Sequence, residues 1–225
     1  MTDLNNRRVL VVGASGGLGA PLARALAAAG ATVVLHGRDP DRLAAVGLDG
    51  AEIHTGDLRD PAVPAALIAA AAEGGLDGVV IASGVVAFGP VADVTDDLVE
   101  ELMAVNFTGP RQLIRAALGT LDAGGFVVSI SAIVAEMPTA GMSAYSASKA
   151  ALSAFTVSAR IEARRRRIRV IDARPPHTET GLAGRPIAGV APHLAEGLAP
   201  ETVAARIVRA VLDDETELPS AAFTS

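Results

Sequence analysis

A glycine-rich turn stands between an apolar run and an alanine-rich helix at the start of the chain, and few folds accept that succession. The run 9–12 is wholly aliphatic, as a parallel strand buried on both faces tends to be. Val12-Gly13-Ala14-Ser15-Gly16-Gly17-Leu18-Gly19 follows it. Glycines there let the backbone turn sharply and let an anion approach closely. The helix beyond, 18–29 with Gly30 as its stop, offers free N–H groups and a positive dipole end. The alternation then continues to the end of the chain. Strands are predicted at 32–35, 51–55, 78–82, 125–131, 168–173 and 218–223. Helices are predicted at 41–46, 62–72, 96–118 with Thr95 as N-cap, 143–165 and 201–212. Such alternation implies a doubly wound α/β fold: a parallel sheet covered by helices on both faces, in three layers. The whole chain, 1–225, reads as one domain. Only the Pro- and Gly-rich stretch 175–200 lacks periodicity, and it reads as a substrate lid at about 176–200. Its apolar residues Leu182, Ile187, Val190, Leu194 and Leu198 point to an apolar substrate.

Composition removes several classes of function. Half of the residues are hydrophobic and 20% are charged, enough for a sizeable core. A net charge of -6 argues against nucleic-acid binding. The basic run 164–167 falls at a predicted helix end, where it offsets the dipole. There is no cysteine, hence no disulfide, thiolate nucleophile or Cys-ligated zinc. His36, His54, His177 and His193 have no metal-ligand spacing, so no metal is expected. No apolar run reaches membrane-spanning length, and the polar start, 1–8, lacks a signal-peptide core. The expectation is a cytoplasmic protein with no membrane partner.

The strongest chemical signal is Tyr145-Ser146-Ala147-Ser148-Lys149. It holds the one tyrosine of the chain and its one lysine among 19 Lys and Arg. At i and i+4 the two share a helix face. Arginine serves solubility as well as lysine does, so a solitary lysine points to a task arginine cannot perform. A phenol at its ordinary pKa near ~10 is a poor acid–base catalyst. A neighbouring ammonium stabilises the phenolate and lowers that value. A phenol so tuned can protonate a carbonyl oxygen as hydride arrives.

Together these motifs resemble the short-chain dehydrogenase/reductase family, with its single-domain Rossmann fold. Gly13, Gly17 and Gly19 give G-x-x-x-G-x-G, similar to the family's T-G-x-x-x-G-x-G with Val12 for threonine. The resemblance implies cofactor contacts from Gly13, Ser15, Gly16, Gly17, Leu18 and Gly19. It implies further contacts from Asp57 and Leu58 at the adenine, from Ala82, Ser83 and Gly84 after the fourth strand, and from Pro175 and Thr180 after the sixth. Gly37 stands where NAD-preferring members carry Asp, and Arg38 follows. A guanidinium fork suits a 2′-phosphate, so NADP(H) is expected over NAD(H). The family implies Tyr145 as acid–base catalyst, Lys149 as the residue that lowers its pKa and holds the nicotinamide ribose, and Asn106, in Asn106-Phe107-Thr108-Gly109, as part of a proton relay. It also implies a homodimer or homotetramer and a small carbonyl or alcohol substrate.

Three positions depart from the family pattern. Its catalytic serine falls on Ala132, leaving Ser131, one residue earlier, as the candidate and Ser143 or a backbone N–H as substitutes. Its structural asparagine is missing from Ile81-Ala82-Ser83-Gly84. Pro176 replaces the glycine after Pro175, and the His177 beside it is placed to meet the substrate. Two readings follow. One is an active NADP(H)-dependent oxidoreductase. The other is a dinucleotide-binding regulatory or sensor protein of the same fold with little turnover. A sugar-nucleotide epimerase shares the Tyr/Lys pair but usually needs a larger C-terminal substrate domain, for which this length leaves no room.

Overall fold

The computed structural model describes residues 2–223; the expected domain span 1–225 runs past these limits at Met1, Thr224 and Ser225, which lie outside the described residues. The strands are β1 (Arg8–Val12), β2 (Thr32–Gly37), β3 (Glu52–Thr55), β4 (Gly78–Ile81), β5 (Phe126–Ile130), β6 (Arg169–Ala173) and β7 (Glu217–Leu218). They form one parallel sheet in the order β3-β2-β1-β4-β5-β6-β7. The chain winds outward in one direction from β1 and in the other from β4. The carboxyl ends of those two strands therefore open a crevice at the switch point.

Alternate side chains of the sheet feed two cores. Val9, Val11, Val33 and Leu35 face α1 (Gly19–Ala28), α2 (Pro40–Ala44) and α7 (Pro200–Leu212). Leu10, Val12, Val34 and Val79 face α3 (Val63–Ala72), α5 (Gly109–Thr120) and α6 (Ser143–Ala163). With both faces covered, the central strands β1, β4 and β5 are almost wholly apolar, whereas the edge strand β3, Glu-Ile-His-Thr, is largely exposed. A third, smaller cluster of Val86, Ala87, Phe88, Leu102, Val134 and Tyr145 caps the carboxyl ends of the strands.

Local signals set the helix ends. Gly30, at φ +94°, stops the turn after α1. Asp39 caps α2 by accepting from the N–H groups of Asp41 and Arg42. Thr95 caps α4 (Asp96–Met103), accepting from Leu98 N at 3.3 Å.

Two elements differ from expectation. The helix expected over 96–118 is interrupted: a π turn, Ala104–Thr108, joins α4 to α5. Pro110 has no N–H for the carbonyl four residues back, so a wider turn fits there. The strand expected at 218–223 ends at Leu218, and Ser220–Phe223 is a 3-10 turn. Pro219 cannot donate to the ladder. The basic run also sits just past its helix: α6 ends at Ala163, and Arg166 donates to the carbonyls of Leu118 and Leu121, at the end of α5. No helix among the described residues is long and apolar enough to cross a membrane.

Candidate active site

The crevice is a cavity of about 780 Å³, within the range of a cofactor site. It runs along the carboxyl ends of the strands, from Arg38 after β2 to Pro175 after β6. The glycine turn lines one stretch of it. Gly13, at φ +77°, takes a conformation that disfavours a side chain, and a Cβ there would meet Ser83 N at 2.8 Å. A Cβ on Gly19 would collide with the Gly13 carbonyl, and one on Gly17 with the Thr180 carbonyl. Gly16 N donates to Gly13 O at 2.9 Å. Leu18, at the N-cap of α1, offers no side-chain cap. Within the first turn of α1, Ala20 N donates to Gly16 O and Pro21 has no N–H, so it is Gly17 and Leu18, just ahead of the helix and on the cavity wall, whose N–H groups stand beside the positive dipole end. The buried hydroxyl of Ser83, which also lines the cavity, has no partner among the described residues. Such orphaned donors fit the pyrophosphate and ribose oxygens of a dinucleotide.

The far end of the cavity is basic. Arg38 and Arg42 both line it, and Arg42 Nη2 donates to Ser15 O at 3.1 Å. Asp39 caps α2, so it does not tie Arg38 down as an ordinary surface pair. A Cβ on Gly37 would touch Ser15 Oγ at 3.3 Å, and an Asp side chain there would fill this end. Arg42 is a site residue that the sequence reading passes over, since its spacing from Arg38 gains meaning only when α2 folds back. Asp57 and Leu58 line the cavity as expected. Arg59, bonded to the Asp57 carboxyl, holds it down at about 2. Buried beside them is His36, also on the cavity wall, with neither ring nitrogen partnered among the described residues. Burial, then the charge of His54, lower its pKa to about 4.

The reacting end gathers Tyr145 and Lys149 from α6 and Asn106 from the π turn. Tyr145 and Lys149 line the cavity and are 7% and 4% exposed. Lys149 Nζ donates to Ile130 O, the last residue of β5, at 3.0 Å. Burial lowers the Lys149 ammonium to about 8 and the charge of Asp172 works against that. Burial also pushes the Tyr145 phenol up to about 12, opposite to the lowering expected from Lys149. Desolvation is the cause of this shift, and no lowering by Lys149 enters it.

Asn106 is fully buried. Its Oδ1 accepts from Val85 N at 2.9 Å, and its Nδ2 donates to Val85 O at 2.9 Å and Ser148 Oγ at 3.0 Å. A Cβ on Gly84 would stand 3.3 Å from both Asn106 Oδ1 and Lys149 Nζ. Gly84 is therefore the gap across which the asparagine and the lysine approach one another.

Ser131 lines the cavity as expected, but its hydroxyl is turned to an internal partner. Its hydroxyl donates to Asp172 Oδ1 at 2.6 Å and the residue is 3% exposed. In this arrangement its single proton is given to the carboxylate. Ala132, at the family's serine position, lines the cavity and has no side-chain donor. Asp172, like Arg42, is passed over in the sequence; its signal is an acid inside the buried run of β6.

The stretch 175–200 folds over this end. The bridge Ala87 to Ala188 anchors it, and the bridge Thr178 to Leu198 closes it on itself. Pro175, Pro176, His177, Thr180, Leu182 and Leu194 line the cavity. Ile187, Val190 and Leu198 do not: Val190 is 87% exposed and Leu198 packs on the core beneath α7. The apolar lining from this stretch is thus narrower than its sequence implies.

Comparison with known proteins agrees with this geometry. The family model described as short chain dehydrogenase matches residues 7–188. Dehydrogenase/reductase SDR family protein 7-like of Anopheles gambiae is 31% identical over 96% of this chain and 75% of its own length. Dehydrogenase/reductase SDR family member 7B of Mus musculus is 33% identical over 80% of this chain, which spans 60% of the mouse protein. A short chain dehydrogenase from Burkholderia cenocepacia, solved in complex with NADP, superposes with a TM-score of 0.86 at 28% identity, covering 100% of both chains. A dehydrogenase/reductase from Sinorhizobium meliloti gives a TM-score of 0.86 at 28% identity over 99% of this chain and 97% of its own. The chain belongs to the short-chain dehydrogenase/reductase family of NAD(P)-dependent oxidoreductases.

Proposed function

We propose that the protein is an NADP(H)-dependent reductase of a small, largely apolar carbonyl compound, with Tyr145 as its proton donor. The observation that carries this reading is the burial of the one tyrosine and the one lysine, a helical turn apart, on the wall of the cavity that the glycine turn lines. The nicotinamide, when bound, supplies the hydride. Gly13 to Gly19 and Ser83 would hold the dinucleotide, with Asp57 and Leu58 toward the adenine and Thr180 toward the nicotinamide.

The chain's own residues handle the proton. A phenol at about 12 stays protonated through the physiological range, so Tyr145 approaches a carbonyl oxygen as a donor. As that proton leaves, the Lys149 ammonium stabilises the phenolate. Asn106 braces the loop after β4 against α6 through Val85 and Ser148. Arg38, with Arg42 beside it, favours a 2′-phosphate. The stretch 176–200 acts as the lid, and Leu182 and Leu194 make its inner surface apolar.

The test is NADPH oxidation with a panel of ketones and aldehydes. Tyr145→Phe is expected to cut turnover by roughly 10²–10⁴ with NADPH affinity unchanged. Equal turnover in the variant would refute the assignment. A second reading, a cofactor sensor of the same fold, draws on Ala132 and on the Ser131 hydroxyl given to Asp172. Tight NADPH binding without turnover of any compound in the panel would favour it.

A further inference from the structure

Behind the floor of the cavity lies a charged cluster that the proposed chemistry does not use. Asp172, on β6, is 1% exposed. Its Oδ1 accepts from Ser131 Oγ at 2.6 Å; its Oδ2 accepts from Ser153 Oγ at 2.5 Å and from Arg174 Nη1 at 2.6 Å. The remaining guanidinium nitrogens of the buried Arg174 bond Glu136 and Glu217. A buried ion pair is weak evidence for stability, since a well-packed apolar replacement is often as stable. Holding the strand together therefore does not explain an acid at 172.

Placement does. Ser131 directly follows Ile130, whose carbonyl accepts the Lys149 ammonium. Ser153 lies one helical turn beyond Lys149 on the same face of α6. The carboxylate thus ties the two segments that seat the lysine. The charge balance also has an excess. Arg174, just after β6, serves three carboxylates: Asp172, Glu136 from the turn after β5, and Glu217 from β7, the last also met by Arg160 of α6 at 3.5 Å. The two guanidiniums cannot neutralise all three. The other site side chains near Lys149, Tyr145 and Asn106, bring no positive charge.

We propose that Asp172 is a positioning residue of the active site, fastening the end of β5 to α6 and supplying the negative counter-charge of the Lys149 ammonium. It rests on the role of Lys149 proposed above. The direction of the Lys149 shift agrees, with Asp172 opposing the effect of burial.

The chain's single lysine makes the test direct. Lysine labelled with 13C at Cε gives one resonance, which can be titrated in the full protein without cofactor. The wild-type midpoint is expected at about 8. Asp172→Asn should lower it by roughly half a unit or more. Arg174→Gln, which frees the carboxylates, should raise it. Glu217→Gln leaves Arg174 fewer acids to serve, so it should lower the midpoint by a few tenths. Glu217 is exposed, so this variant decides the sign even if Asp172→Asn does not fold. A cluster that only held the fold together would loosen in every variant, admit water and let each midpoint rise. Uniform rises, or no movement in Asp172→Asn and Glu217→Gln, would overturn the proposal. Failure of the wild type to bind NADPH would instead defeat the functional reading and leave the titration standing.

Discussion

Single side chains decide which dinucleotide fits and how far the protein tolerates acid. Arg38 faces the cavity with Arg42 behind it. Arg38→Ala should weaken NADPH about 10–100-fold and leave NADH nearly unchanged, since the lost contact is charge-assisted. Calorimetric titration with both nucleotides measures this, and an equal loss for both would defeat the 2′-phosphate assignment. His36 governs the acid side. Its folded pKa, about 4, lies below the ordinary imidazole value of 6.5, so between those values the unfolded chain binds the additional proton. Stability is full above pH 6.5 and falls as the pH drops toward 4, by on the order of 3 kcal/mol for this group. Melting curves across pH 7 to 4.5 should show a shallower decline in His36→Leu. Parallel slopes would rule the imidazole out as the cause.

At the scale of elements, the π turn positions more than its length suggests. It lets Asn106 reach the backbone of Val85, on the loop after β4. Asn106→Ala leaves those buried groups unpaired, at a cost of about 2–4 kcal/mol, or roughly 5–15 °C in melting midpoint. A midpoint within a degree of wild type would show that water replaces the amide. The sequence reveals these elements unevenly. The wholly apolar strands are plain because both faces of the sheet are covered, and their ends are off by a residue or so where flanking residues are also apolar. The π turn is hidden because α4 and α5 keep a helical pattern on either side of it. The last strand is over-read because Pro219 lies inside an otherwise extended stretch. In the site, the glycine turn and the Tyr145–Lys149 pair are legible because their chemistry depends on local spacing. Arg42, Asp172 and the orientation of Ser131 depend on which distant strand or helix comes alongside, and spacing along the chain does not encode that.

Across the whole molecule, both ends of the cavity are fastened to the same frame. The glycine turn leaves β1 at the centre of the sheet, and the stretch after β6 returns across it to α7. Where they cross, the bare Cα of Gly17 rests on the main chain at Thr180 with no space for even a methyl group. That contact is a latch. Whatever seats itself on the phosphate side presses on the flap that closes the other compartment, so occupancy of one half should be felt in the other. Adenosine 2′,5′-bisphosphate, which has no reactive ring, is expected to slow amide hydrogen exchange across residues 177–185 as well as in the turn itself. Exchange slowed in the turn alone would mean that the two halves open and shut independently.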